Sequence, residues 1–135
     1  MKKNIWAIIP ARSGSKGIKE KNIKLLNKRP LFSYTILSAI KSKVFNKVLV
    51  LTDSIKFAKM AKKYGAEIPF RRPKFLSDDY TSGASVITHS VKFLIKEGYQ
   101  FDYVCCVYPP NPFLQISDLK KGFKKIKSKT FNYVF

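Results

Sequence analysis

The sequence predicts an α/β fold, a mainly parallel sheet flanked by helices. Three observations lead there. The apolar runs Ile5–Ile9 and Val48–Leu51 are short and unbroken, as in strands buried on both faces, and Phe101–Tyr108 reads as a further buried strand. Helical patterns alternate with them. The 135 residues, 45% of them hydrophobic, suit one domain, 1–135, with a real core.

In chain order, Ile5–Ile9 is the first strand. Pro30 fits the first turn of a helix running to about Ser42, with Phe32, Ile36, Leu37 and Ile40 facing inward. Val48–Leu51 is the second strand, ending at Thr52-Asp53-Ser54, where an oxygen side chain can cap a helix that lasts to about Tyr64. Gly65 stops that helix, and Ala66–Phe70 is a short extended piece before a polar loop, Arg71–Tyr80. A third helix spans about Ser82–Lys96, with an apolar stripe at Ala84, Ile87, Val91, Leu94 and Ile95. Phe101–Tyr108 is a further buried strand, followed by a loop stiffened by Pro109, Pro110 and Pro112. Ser117 is placed to cap a helix to about Lys127, and Phe131–Phe135 reads as the start of another strand. The chain stops inside that apolar pattern, so a truncated domain, or a partner supplying the missing layer, is expected.

The net charge is +19, from 27 Lys and Arg against 8 Asp and Glu. The lysines are scattered over helix faces with no RNA- or DNA-binding motif among them, which argues against nucleic acid. Cys105 and Cys106 are adjacent and point to opposite faces of a strand, so they are poor disulfide partners and fit a reducing compartment. With the single His89 they are too few for a zinc site. The Met1–Ile9 stretch imitates a signal peptide, but its apolar run is short and Pro10-Ala11-Arg12 interrupts it. No segment is long enough to span a membrane, and a cytoplasmic protein is expected.

Ligands on such sheets bind beyond the carboxyl ends of the strands, where the loops after Pro10, Asp53 and Tyr108 gather. The first of these carries Arg12-Ser13-Gly14-Ser15-Lys16-Gly17, then Lys21-Asn22. The spacing is neither that of a Walker A loop nor G-x-G-x-x-G. Backbone N–H groups in such a loop can close around phosphate oxygens. Gly14 and Gly17 allow close approach and unusual dihedrals. Arg12 and Lys16 can neutralise a triphosphate, the first as a fork and the second as a point charge. An ordinary glycine-containing turn with surface lysines accounts for the spacing equally well. Asp53 is read as a capping or structural residue as readily as a metal ligand. Asp78 and Asp79 are read as loop-capping residues, and His89 as a partly exposed structural histidine.

The run Ala7–Ile18, with Lys21-Asn22, Pro30-Leu31, Thr52-Asp53, Lys62–Glu67 and Arg72-Pro73, resembles the cytidylyltransferases that activate nonulosonic acids. Within that family Arg72–Thr81 and Val104–Gln115 are most similar to the pseudaminic acid branch. The resemblance implies a nucleotide-diphospho-sugar transferase-like fold. It also implies transfer of CMP from CTP to the anomeric hydroxyl of a sugar acid with loss of pyrophosphate, normally with magnesium. Carried over, Arg12 and Lys16 would hold the triphosphate, within a binding loop comprising Ser13, Gly14, Ser15 and Gly17. Lys21 would sit at the reacting phosphate and share the catalytic role with Arg12. Asn22 and Arg72 would contact the cytidine, and Thr81 would lie near the nucleotide, while Arg71 reads as a solvated cation.

The chain departs from the family in two ways. Tyr108-Pro109-Pro110-Asn111-Pro112 stands where relatives have a run like Gln-Pro-Thr-Ser-Pro, so a nucleotide-contacting glutamine is absent although the stiffness is kept. Relatives also continue well past Phe135 with a homodimerisation arm, much of the sugar pocket and the magnesium-binding aspartates. This chain is therefore expected to be an N-terminal fragment that grips CTP with little or no turnover. Two other functions stay open. One is a non-enzymatic basic nucleic-acid-binding domain, supported by net charge alone. The other is a cytidylyltransferase for another sugar acid, such as 3-deoxy-manno-octulosonate.

Overall fold

The structure, a computed structural model, describes residues 2–134. Three parallel strands form the sheet, in the order β4-β1-β5: β1 (Ile5–Pro10) lies between β4 (Lys47–Leu51) and β5 (Tyr103–Cys106). Register pairs Ile8 of β1 with Leu49 on one side and with Cys106 on the other. A single parallel bridge, Leu49 to Glu67, adds the extended piece after the second helix.

The central strand has no polar side chain because neither of its faces meets water. Ala7 and Ile9 point into one core cluster with Phe32, Ile36 and Ala39 of α1 (Leu31–Ser42) and Phe57 and Ala61 of α2 (Ile55–Lys63). Trp6 and Ile8 point the other way, onto Leu76 and onto Val86 and Leu94 of α3 (Gly83–Lys96). The last helix, α4 (Ile116–Lys127), has no buried residue among its twelve and touches the sheet through Phe123, whose ring meets Tyr103 edge-on.

Several expectations need correction. In α1 the inward face includes Ser33, Thr35, Ala39 and Ser42, whereas Ile40 is exposed and Leu37 only half-buried. The buried hydroxyls all find acceptors, Ser33 and Ser42 locally at the Pro30 and Ala39 carbonyls and Thr35 at the distant Pro109 carbonyl, so polar residues can occupy the inner stripe. In α3 the buried positions are Val86, Ser90 and Leu94, and Ala84 and Ile95 are exposed. Ser117 does not cap α4, which starts one residue earlier after an uncapped Gln115. The strand expected over Phe101–Tyr108 shortens to four residues, three half-buried and Cys106 exposed, because β5 has a neighbour on one side only. Residues 131–134 form no strand, and Phe135 lies outside the described residues. A small antiparallel hairpin, β2 (Leu25–Leu26) with β3 (Arg29–Pro30), went unforeseen, since Asn27 and Lys28 take left-handed backbone angles at its turn without a glycine.

The strand order places the site. The chain leaves β1 toward β4 on one side and later returns to β5 on the other. The loops after β1 and β5 therefore diverge and leave a crevice at the carboxyl ends of the strands.

Candidate functional site

The crevice is a cleft of about 360 Å³, within the range of small-ligand sites. Arg12, Gly14, Ser15, Lys16 and Gly17 of the loop after β1 line it. Lys21 and Asn22 enter from a short 3-10 turn, Lys21–Ile23, and Arg72 and Thr81 close it from the far side. Nine of the ten residues singled out from the sequence thus converge on one cavity. Ser13 is directed elsewhere: its backbone N–H and its hydroxyl both donate to Asp53, each at 2.8 Å. Asp53 therefore staples the loop to the end of β4. It caps nothing, since Ser54 accepts from the Phe57 N–H as the cap of α2.

The loop is held at its other end by Asn22, which is 5% exposed. Its amide nitrogen donates to the Arg12 carbonyl at 3.1 Å, while its Oδ1 is buried without a partner in the protein. A buried unpaired acceptor costs about 1–3 kcal/mol, and Asn22 lines the cleft. Gly14 and Gly17 take no positive φ; the left-handed position in this loop falls on Glu20, at φ 49°. The glycines thus serve close approach alone. A Cβ at Gly17 would meet nothing in the protein, so both leave bare backbone facing the cavity.

Arg72 is buried. Its guanidinium donates through Nε and Nη2 to the Leu76 carbonyl, and its backbone N–H donates to the Thr52 carbonyl at 2.9 Å. Burial lowers its pKa, opposed by the Asp53 charge. Arg71, by contrast, is exposed and hydrogen-bonds the Asp53 carbonyl at 3.0 Å. Asp78 caps the turn as expected, but Asp79 does not. Its Oδ1 lies 2.6 Å from Arg12 Nη1 and its Oδ2 lies 4.0 Å from Lys16 Nζ.

The cleft has a wall that sequence reasoning missed, made by Gly83, Val86, Tyr108, Pro109 and Pro110. A Cβ on Gly83 would come within 2.9 Å of the Tyr108 hydroxyl. The glycine opening α3 therefore leaves room for the phenol. The proline loop offers carbonyls but few N–H groups. Thr35 of α1 donates to the Pro109 carbonyl at 2.7 Å, and Ser38 to that of Leu114 at 3.3 Å. These hydroxyls hold the departed loop in place and account for the polar stripe of α1. His89 packs edge-on against Phe70 and Phe75, away from the cleft-lining residues.

The described residues contain no group of three acidic, His or Cys side chains able to hold a metal ion, and the carboxylates at the loop, Asp53 and Asp79, are engaged as described. No described helix is long and apolar enough to cross a membrane.

The profile of the cytidylyltransferase family matches residues 6–135. Pseudaminic acid cytidylyltransferase of Campylobacter jejuni is 39% identical over 128 residues, covering 95% of this chain and 55% of that protein. N-acylneuraminate cytidylyltransferase of Escherichia coli is 39% identical over 124 residues, covering 92% of this chain and 28% of that protein. The chain thus spans about half the length, or less, of these relatives. Among solved structures, CMP:2-keto-3-deoxy-manno-octonic acid synthetase complexed with CTP shares the fold at TM-score 0.76 with 18% identity, over 93% of this chain and 48% of that one. With the fold, the cleft and this match across nearly all its length, the chain belongs to the cytidylyltransferase family.

Proposed function

We propose that this chain is the CTP-binding part of an enzyme that transfers CMP to the anomeric hydroxyl of a nonulosonic acid, of the pseudaminic acid type. The observation that carries the reading is the convergence on one cleft of two loop cations, bare glycine backbone and the unpartnered Asn22 Oδ1. Arg12 and Lys16 neutralise the β- and γ-phosphates, which leave as pyrophosphate. Lys21 stands at the α-phosphorus, where the sugar oxygen forms its new bond as the bond to the β-phosphate oxygen breaks and the hydroxyl proton passes to solvent. Asn22 and Arg72 take the cytidine. The identity to the Campylobacter relative, which extends over 95% of this chain, supports the sugar type.

The same reading assigns the magnesium ligands to residues outside these 135 and the protein to the cytoplasm, where CTP is made and Cys105 and Cys106 stay reduced. Calorimetry with CTP, UTP, ATP and GTP tests it. CTP is expected to bind at least tenfold more tightly than the purine nucleotides; equal or absent binding of all four would overturn the reading. Mixed with CTP, magnesium and a nonulosonic acid, the chain alone is expected to release little or no pyrophosphate, and brisk release would overturn the assignment of metal ligands elsewhere.

A further inference from the structure

Asp79 does something that neither turn capping nor nucleotide binding requires. Its carboxylate takes both cations that the proposed function gives to the triphosphate, Arg12 at 2.6 Å and Lys16 at 4.0 Å. Lys16 also sits 4.9 Å from the centre of the Tyr80 ring, so two successive residues of one turn engage the phosphate loop.

The contact is built from both sides. Asp78 accepts from the backbone N–H groups of Tyr80 and Thr81, at 3.0 and 2.7 Å, and its Oδ1 lies 2.7 Å from the Thr81 hydroxyl. These bonds close the turn and project Asp79 toward the loop. On the other side the Arg12 carbonyl is tied to Asn22, and its neighbour Ser13 is tied to Asp53. The guanidinium therefore meets the carboxylate from an anchored backbone.

We propose that Asp79 is a counter-ion gate, a positioning residue that holds Arg12 and Lys16 in place for the triphosphate and must yield them when it binds. A carboxylate offers two oxygens and one charge. A polyphosphate offers more of both, so it can displace Asp79 at a cost in affinity. A retained Asp79 would face the incoming anion with like charge, so the turn has to swing aside. Little packing opposes this, since Tyr80 is 88% exposed and the Asp79 side chain about one third exposed.

The inference rests on the assignment of Arg12 and Lys16 to phosphate, but its test needs no base. Inorganic tripolyphosphate is titrated calorimetrically, in chelated metal-free buffer, into the parent chain, Asp79→Asn and Asp79→Glu. Asp79→Asn is expected to bind about two- to fivefold more tightly, the worth of a partly exposed ion pair. Asp79→Glu is expected to return within about twofold of the parent. A merely structural residue would weaken binding when changed, so equal or weaker binding by Asp79→Asn overturns the gate, as does a glutamate that fails to restore the parent affinity. Nucleotides bound without preference for CTP would sink the proposed function and leave the gate standing. Intact CTP selectivity with no gain in Asp79→Asn would sink the gate alone.

Discussion

The two ends of the parallel sheet carry clefts of nearly equal size, about 360 Å³ at the carboxyl end and about 370 Å³ at the amino end. Both are rimmed with cations. The amino-end cleft is lined by Lys2, Lys3, Lys43, Lys120 and Lys127 over Phe45 and Phe123, and on charge and volume alone it would be the equal of the other. The polar groups within it separate the two. At the amino end they serve the fold: Asn46 accepts from the Ile5 N–H at 2.7 Å, Ser42 caps its own helix, and Lys3 pairs with Asp102. At the carboxyl end a buried asparagine acceptor has no partner, and the Arg12 backbone is tied to that same asparagine while its neighbour Ser13 is tied to Asp53. Unspent, pre-positioned polar groups mark a site; a basic rim does not.

Breaking the carboxyl-end cleft should have the largest effect. Arg12→Ala removes a charge-assisted contact and is expected to cost about ten- to a hundredfold in CTP affinity, read by calorimetry. Asn22→Leu leaves the Arg12 carbonyl without its donor but also removes the unpaired Oδ1, so the unfolding free energy in a urea titration should change by less than about 1 kcal/mol, while CTP binding weakens as the loop loosens. The double change Lys120→Ala with Lys127→Ala at the opposite cleft should alter CTP affinity less than about twofold at 0.15 M salt, because the charges removed are screened across the sheet. A larger loss there would erase the distinction between the two ends.

The thiols sharpen the picture of the sheet itself. Burial pushes the Cys105 pKa up to about 11, and the Cys106 thiol upward as well. An acid whose folded pKa is raised releases its proton more readily when unfolded. Stability should therefore fall as pH rises above about 9, the ordinary thiol range, and approach its lower limit near pH 11. Thermal melts of the parent and Cys105→Ser between pH 8 and 11 would show this as a difference in slope. Parallel curves would mean that the half-buried Cys105 thiol is not shielded enough to shift its titration.

Much of this was legible in the residue order. The continuous apolar strand Ile5–Ile9 can be satisfied only between two layers, and it is. The helix bounds of α1 follow from Pro30 and the apolar stripe. The loop residues Arg12 to Gly17, with Lys21 and Asn22, converge as their nearness in sequence suggested. Periodicity failed where hydroxyls took buried places. Thr35 and Ser33 look like surface residues until the proline loop and the Pro30 carbonyl become their acceptors. The Gly83–Tyr108 wall and the role of Asp79 were hidden for a related reason. Each joins residues 25 or more positions apart, and no local spacing rule reaches that far.

Composition and local pattern thus decided the class of fold, the strand that bears the site and the chemical character of its phosphate loop, because apolar periodicity and glycine-cation runs act over a few residues. Only the folded chain decided where Ser13, Asp53 and Asp79 direct their oxygens and that the proline loop hangs from α1. Those outcomes depend on which polar groups find partners once distant segments pack, and an unpaired or displaced partner is a property of the packed whole.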